Sequence, residues 1–503
     1  MEGSLIRTSG ILLPVSSLPS RHGIGSLGKE AYQFIDFLKD AGQHYWQILP
    51  VGPTGCGDSP YQSFSAFAAN PYLIDLDLLA EDGLLTEQEI SAARFGDDPE
   101  FVDYGALYEN RVPLLGHAAG RLNPTDARFL AFCKRNADWL DDYALFMALK
   151  AENGMVSFHG WPEPLRLRAR DAITGAESRL GGQIHLWKAI QYLFFTQWDA
   201  LTDYAHQNGI ELIGDIPIYV SPDSSDLWTH PELFQVDGAL NPTEVSGCPP
   251  DAFSPTGQLW GNPLYDWDRL ERDGYAWWIR RLSFAARVYD VVRIDHFRGF
   301  ESYYAVPAGD RDATGGRWRK GPGIRFVNVM KEKIPGIRII AEDLGFLTDD
   351  VRLLLRKSGF PGMKVLQFAF DSREKSDYLP YQYGRNCVVY TGTHDNTTTA
   401  DWQHSAPSRD VEYARQYLNV RSKDETEFTY GMIRAALGSV ADTCVIPMQD
   451  YLCLGAGARM NIPGTVGGNW RWRVQKEALT PQLAEQIRSL SVLFGRAEEP
   501  AAT

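Results

Sequence analysis

The chain has few of the devices that usually announce a function. Its six cysteines, Cys56, Cys133, Cys248, Cys387, Cys444 and Cys453, are scattered through 503 residues with no CxxC or CxxH pairing. That spacing gives neither a zinc framework nor a disulfide scaffold, and it suits the reduced thiols of a cytoplasmic protein. The HxxH and HExxH spacings are missing, and so is the phosphate-cradling GxxxxGK[ST]. Neither a metal nor an organic cofactor is therefore expected. No window approaches ~18 consecutive apolar residues, and Met1 to Leu13 holds no signal-like run, so no membrane partner is expected. Positive charge is also short: the net charge is -15, with 49 Lys+Arg against 64 Asp+Glu. Such a balance argues against nucleic acid and anionic lipid surfaces, and a neutral substrate tolerates it.

Aromatic residues are plentiful at 12%, and many of the 14 tryptophans sit in polar, Gly/Pro-rich stretches where core packing explains them poorly. Eight strand-like apolar runs recur: 10–15, 45–51, 211–218, 291–297, 338–343, 363–368, 387–391 and 444–449. Helical patterns lie between several of them, at 31–38, 187–204, 275–288 and 349–356. Strands alternating with helices imply a parallel sheet. Eight such units imply an α/β fold of the closed (β/α)8 TIM-barrel type, with a doubly wound open sheet as the alternative. The expectation is one catalytic barrel over 1–503 without a separate C-terminal β domain. Two gaps exceed plain crossovers. One suggests a mainly helical subdomain at about 71–186, inserted after the second strand. The other suggests a substrate-covering insertion with a lid loop at about 220–274, after the third.

Carboxylates recur where such a barrel keeps its active site, at the C-terminal strand ends. Asp215 ends the third run, Asp295 the fourth and Glu342 the fifth, while Asp395 follows the seventh. Arg293 and Asp295 alternate onto one face, a pairing that also suits a structural ion pair. Four acids at four strand ends favour chemistry. Several carboxylates without phosphate or metal motifs point to glycosidic bonds. Asp295 is then the nucleophile, kept ionised by Arg293, and Glu342 is the general acid and base with a raised pKa. Asp395 stabilises the transition state, while His296 and His394 address sugar hydroxyls.

The stretches Ile213-Gly214-Asp215, Arg293-Ile294-Asp295-His296, Ala341-Glu342-Asp343-Leu344-Gly345 and Thr393-His394-Asp395-Asn396 resemble the four signature regions of the α-amylase clan. Asp58-Ser59-Pro60-Tyr61-Gln62-Ser63, and 247–254 running into Gly257-Gln258-Leu259-Trp260-Gly261-Asn262-Pro263, narrow the resemblance to the amylomaltase (4-α-glucanotransferase) family. The resemblance covers about 10–472. It implies a retaining double displacement on α-1,4-glucans and malto-oligosaccharides, with a second glucan hydroxyl as acceptor. It also implies sugar contacts from Tyr61, Asp251, Gln258, Trp260, Arg293, Phe368 and Asn461, with Ser59 and Asp215 in the binding set. A monomer or weak homodimer is expected. A hydrolase of the same clan, or a non-catalytic glucan-binding barrel, remains open at this point.

Overall fold

The computed structural model describes residues 7–250, 254–345, 347–373 and 375–499. Among them are twelve strands: β1 (Thr8–Leu12), β2 (Tyr45–Gln47), β3 (Glu211–Pro217), β4 (Glu244–Cys248), β5 (Gln258–Pro263), β6 (Val291–Asp295), β7 (Ser302–Pro307), β8 (Arg317–Lys320), β9 (Ile339–Ala341), β10 (Gly362–Val365), β11 (Cys387–Tyr390) and β12 (Thr443–Pro447). Eight of them close a parallel barrel in the order β1-β2-β3-β6-β9-β10-β11-β12 and back to β1. These are the eight apolar runs of the sequence. The fold is a (β/α)8 barrel.

Alternation along each strand explains both walls. Ile213, Val291, Ile340, Met363, Val388 and Val445 meet in the barrel interior. Their neighbours Leu212, Val292, Ile339, Val389 and Cys444 pack outward under the helices. A side chain two residues beyond an inward one points the same way, only higher up the barrel. Ile213 thus leads to Asp215, Val291 to Arg293 and Asp295, and Ile340 to Glu342. The apolar floor and the polar mouth belong to one period-two pattern. On the outward side Gly214 is obligatory, because a Cβ there would come within 2.1 Å of the Tyr289 ring.

Helices Lys29–Asp40, Gly181–Gln207, Ala276–Val288, Ile324–Lys333, Glu425–Gly438 and Pro481–Leu493 cover the barrel. Between β10 and β11 two 3-10 turns, Leu366–Phe368 and Pro380–Gln382, take the place of a full helix. Between β2 and β3 the chain forms a helical layer whose members include Tyr104–Arg121, Ala127–Arg135 and Ala137–Glu152. Lys150 is buried there, paired with Asp223 at 2.7 Å and lying 4.8 Å from the centre of the Phe64 ring.

The region after β3 differs from an irregular lid. β4 and β5 pair antiparallel and join β7 and β8 in a four-stranded sheet of order β5-β4-β7-β8. Its strands hide in the sequence because they are short, carry Gly247 and Gly261, and end in the charged edge strand Arg317-Trp318-Arg319-Lys320. The run Gly23-Ile24-Gly25-Ser26-Leu27-Gly28 fits the GxGxxG pattern of dinucleotide folds but is used for packing. A Cβ at Gly25 would strike Val15 O, and one at Gly28 the Asp75 carboxylate. No described helix is long and apolar enough to cross a membrane.

Candidate active site

The centre of the mouth is a buried ion triad. Register sets Asp215 of β3 opposite Arg293 of β6. Arg293 Nη1 lies 2.5 Å from Asp215 Oδ2, and its Nη2 lies 3.2 Å from Asp295 Oδ1. The Asp215 side chain is completely covered, whereas that of Asp295 is 32% exposed. This sorts the two aspartates. Asp215 neutralises and aims the guanidinium from below, while Asp295 alone opens to the cleft. Asp215, expected in the sugar-binding set, is instead fully covered, its Oδ2 accepting from Arg293 and from the Tyr61 hydroxyl.

Glu342, one residue past the end of β9, is held by two backbone donors. The N–H groups of His296 and Leu344 each donate to one carboxylate oxygen at 2.7 Å. His296, the first donor, itself adopts φ 59°, a left-handed conformation that side chains other than glycine enter at a cost. Burial first, and then the Asp295 charge, push the Glu342 carboxyl up to about 8 despite those donors. Burial at the cleft floor raises Asp295 less, to about 6, because Arg293 opposes it. The two carboxyls titrate as a pair, and the stronger upward push on Glu342 favours the proton on its side.

Asp395 follows β11. Burial pushes its carboxyl up, but His394 and Asn461 outweigh that and keep it well below the usual carboxylate range. Asn461 Nδ2 donates to Asp395 Oδ1 at 2.6 Å, and His394 Nε2 lies 3.3 Å from Oδ2. Asn461 is thus a clamp on Asp395. The Tyr61 hydroxyl donates to Asp215 Oδ2 at 2.8 Å and meets His394 Nε2 at 2.9 Å, with its ring stacked on His394 at 17°. Ser59 Oγ accepts from the Tyr61 N–H at 3.3 Å, and so shapes the turn that presents the ring.

Trp260 of β5 meets the His296 ring edge-on at 4.8 Å, and its indole N–H donates to Gln258 Oε1 at 3.1 Å. Burial lowers His296 to about 3, with Arg298 assisting, so the imidazole is neutral. Its Nδ1 has no partner among the described residues. Phe368 stands 38% exposed at the end of β10. Asp251 lies outside the described residues.

Two contributors escaped sequence reasoning. Trp470, at φ 63°, backs Tyr61 at 5.7 Å and His394 at 6.0 Å, while its carbonyl accepts from Tyr104 OH of the helical layer at 2.9 Å. Tyr378 packs edge-on against Phe368 at 5.7 Å. The flanking glycines in Gly467-Gly468-Asn469-Trp470 were the one available signal for the first, since they mark a loop and not a core element.

The arrangement offers a carboxylate paired with an arginine at the cleft, a buried carboxyl whose surroundings favour its protonated form, and a third acid kept charged. A model of the 4-alpha-glucanotransferase family matches residues 13–480. The chain belongs to the 4-alpha-glucanotransferase family. It is 47% identical over 487 residues to the 4-alpha-glucanotransferase of Clostridium butyricum, across 96% of this chain and 100% of that one. It is also 47% identical over 502 residues to the enzyme of Thermus thermophilus, across 97% and 98%. Among solved structures it superimposes on an amylomaltase from Streptococcus agalactiae in complex with acarbose with a TM-score of 0.95. Identity there is 39%, covering 98% of this chain and 100% of the other. Within this 4-alpha-glucanotransferase family member, the acids stand at the ends of β6 and β9 and after β11 of the barrel.

Proposed function

We propose that the chain transfers α-1,4-glucan segments to the 4-hydroxyl of glucose or another glucan by a retaining double displacement. Asp295 attacks the anomeric carbon as the glycosidic C–O bond breaks, and Glu342 passes its proton to the leaving oxygen. The glucosyl chain is then an ester of Asp295. Glu342, now a carboxylate, takes the proton of the incoming hydroxyl while that oxygen attacks the same carbon and frees Asp295. Asp395 stabilises the oxocarbenium-like charge. Tyr61, Trp260 and Phe368 cover the apolar faces of sugar rings, and Arg293, His296, His394 and Gln258 meet their hydroxyls.

One observation carries this reading: Asp295 opens to the cleft beside Arg293, while Glu342, held by the His296 and Leu344 N–H groups, is buried, which raises its carboxyl and favours the protonated form. Trp260 of β5 lies against His296, next to the nucleophile, where a seated glucan chain would shield the ester from water and favour transfer over hydrolysis. The neutral substrate also suits a net charge of -15. Incubation with maltotriose, followed by chromatography, tests it. Glucose together with chains longer than maltotriose is the expected result, and products that are all shorter would assign a hydrolase. D295N is expected to lose turnover by at least about a thousandfold, as for removal of a nucleophile.

A further inference from the structure

Trp318 is an exposed aromatic ring that its neighbours hold still. It lies on β8, the outer strand of the four-stranded sheet, and is 43% exposed. The Arg298 guanidinium sits 4.2 Å from its ring centre, and Tyr304 on β7 meets it edge-on at 5.3 Å and 69°. Arg298 is itself fixed, being 6% exposed and within 3.4 Å of Ser302 Oγ. A cation on one face and an aromatic edge at the side leave part of the indole open and unable to turn. Such a preorganised flat surface suits the apolar C–H face of a sugar ring.

Its position relates it to one side of the mouth. Arg298 belongs to the turn Phe297–Phe300, three residues beyond Asp295. It lies within electrostatic range of Glu342 and of Cys248, the last residue of β4, from which the chain returns as β5 with Trp260. Tyr61, His394 and Trp470 cluster instead around Asp215 and Asp395. Trp318 thus stands on the flank of Glu342, with Arg298 between. The general acid faces the leaving oxygen, so the departing sugar, and later the acceptor, lie on that flank.

We propose that Trp318, backed by Arg298, is a platform for the acceptor glucan, stacking a ring beyond the one whose hydroxyl reacts. This rests on the transferase reading above. With Arg298 between it and Glu342, the ring suits a more distant unit of the acceptor, so it favours acceptors of several units. The test uses labelled α-maltosyl fluoride as donor and compares glucose with maltotriose as acceptor. W318A should raise the maltotriose acceptor KM by about 3- to 10-fold and alter that for glucose less than twofold. W318F should recover most of the loss. Tyr381, 62% exposed on the barrel flank, gives the control; Y381A should shift neither constant. The platform is overturned if W318A moves both acceptors equally, or neither, or if Y381A matches it. Failure of the unaltered chain to transfer to any acceptor would instead remove the transferase reading.

Discussion

At the scale of single residues, two carboxyls do different work because their surroundings differ. Burial raises both carboxyls, but at Asp295 the Arg293 charge opposes it most, whereas at Glu342 the Asp295 charge adds to it. The rate as a function of pH follows from the signs. On the proposed roles, the rate falls toward low pH as the pair takes up a second proton below about 6 and Asp295 is lost as nucleophile. It falls toward high pH as the last proton, the one proposed for delivery by Glu342, leaves above about 8. A bell-shaped profile of kcat/KM with limbs near those values is expected from initial rates across pH 4–10. E342Q should abolish the bell along with turnover. The acids were legible in the sequence because Glu342 stands two residues and Asp295 four beyond an inward apolar side chain at a strand end, while Asp395 follows the seventh apolar run. Asp215 was misjudged for the same reason. Period two says that it points inward, but only the packed Tyr61 and Arg293 reveal that it is capped.

At the scale of elements, the turn out of β6 couples both acids. Asp295 ends the strand, and the next residue, His296, donates its N–H to Glu342 while turning the chain away at φ 59°. Substitutions that lack the imidazole separate this backbone role from any sugar contact. H296G, H296A and H296V all remove the ring but tolerate the left-handed conformation in falling order. Their kcat should fall in that order, with Val about tenfold or more below Gly. The alkaline limb should rise in H296V, because a lost N–H donor no longer favours the charged carboxylate. Equal kcat and equal limbs in all three would refute the backbone role. The barrel strands were readable because each is a buried apolar run bounded by turn residues. β4, β5, β7 and β8 were not, since strands this short and glycine-bearing gain their stability from pairing across chain separations that no local pattern records. Trp318 escaped notice for the same reason: its meaning comes from Arg298, twenty positions earlier.

At the scale of the whole molecule, the site weakens the fold that carries it. A carboxyl raised to about 8 in the folded state titrates near 4.3 when unfolded, so the folded form binds the extra proton between those values. Stability from this group is therefore unimpaired below about 4.3, falls as pH rises through the window, and carries the full penalty above about 8. E342Q should melt higher than the unaltered chain at pH 8–9, with the difference vanishing toward pH 4.5; calorimetry across that range checks it. An unchanged difference at every pH would remove the linkage. The barrel seam has a separate consequence for how the molecule comes into being. β1 joins β12, and Thr8 meets Thr443 across 435 positions of chain. Asn461, which clamps Asp395, is made later still. A growing polypeptide on the ribosome therefore holds all three acids before it has a closed ring, and the clamped third acid comes later still, so competence arrives late in synthesis.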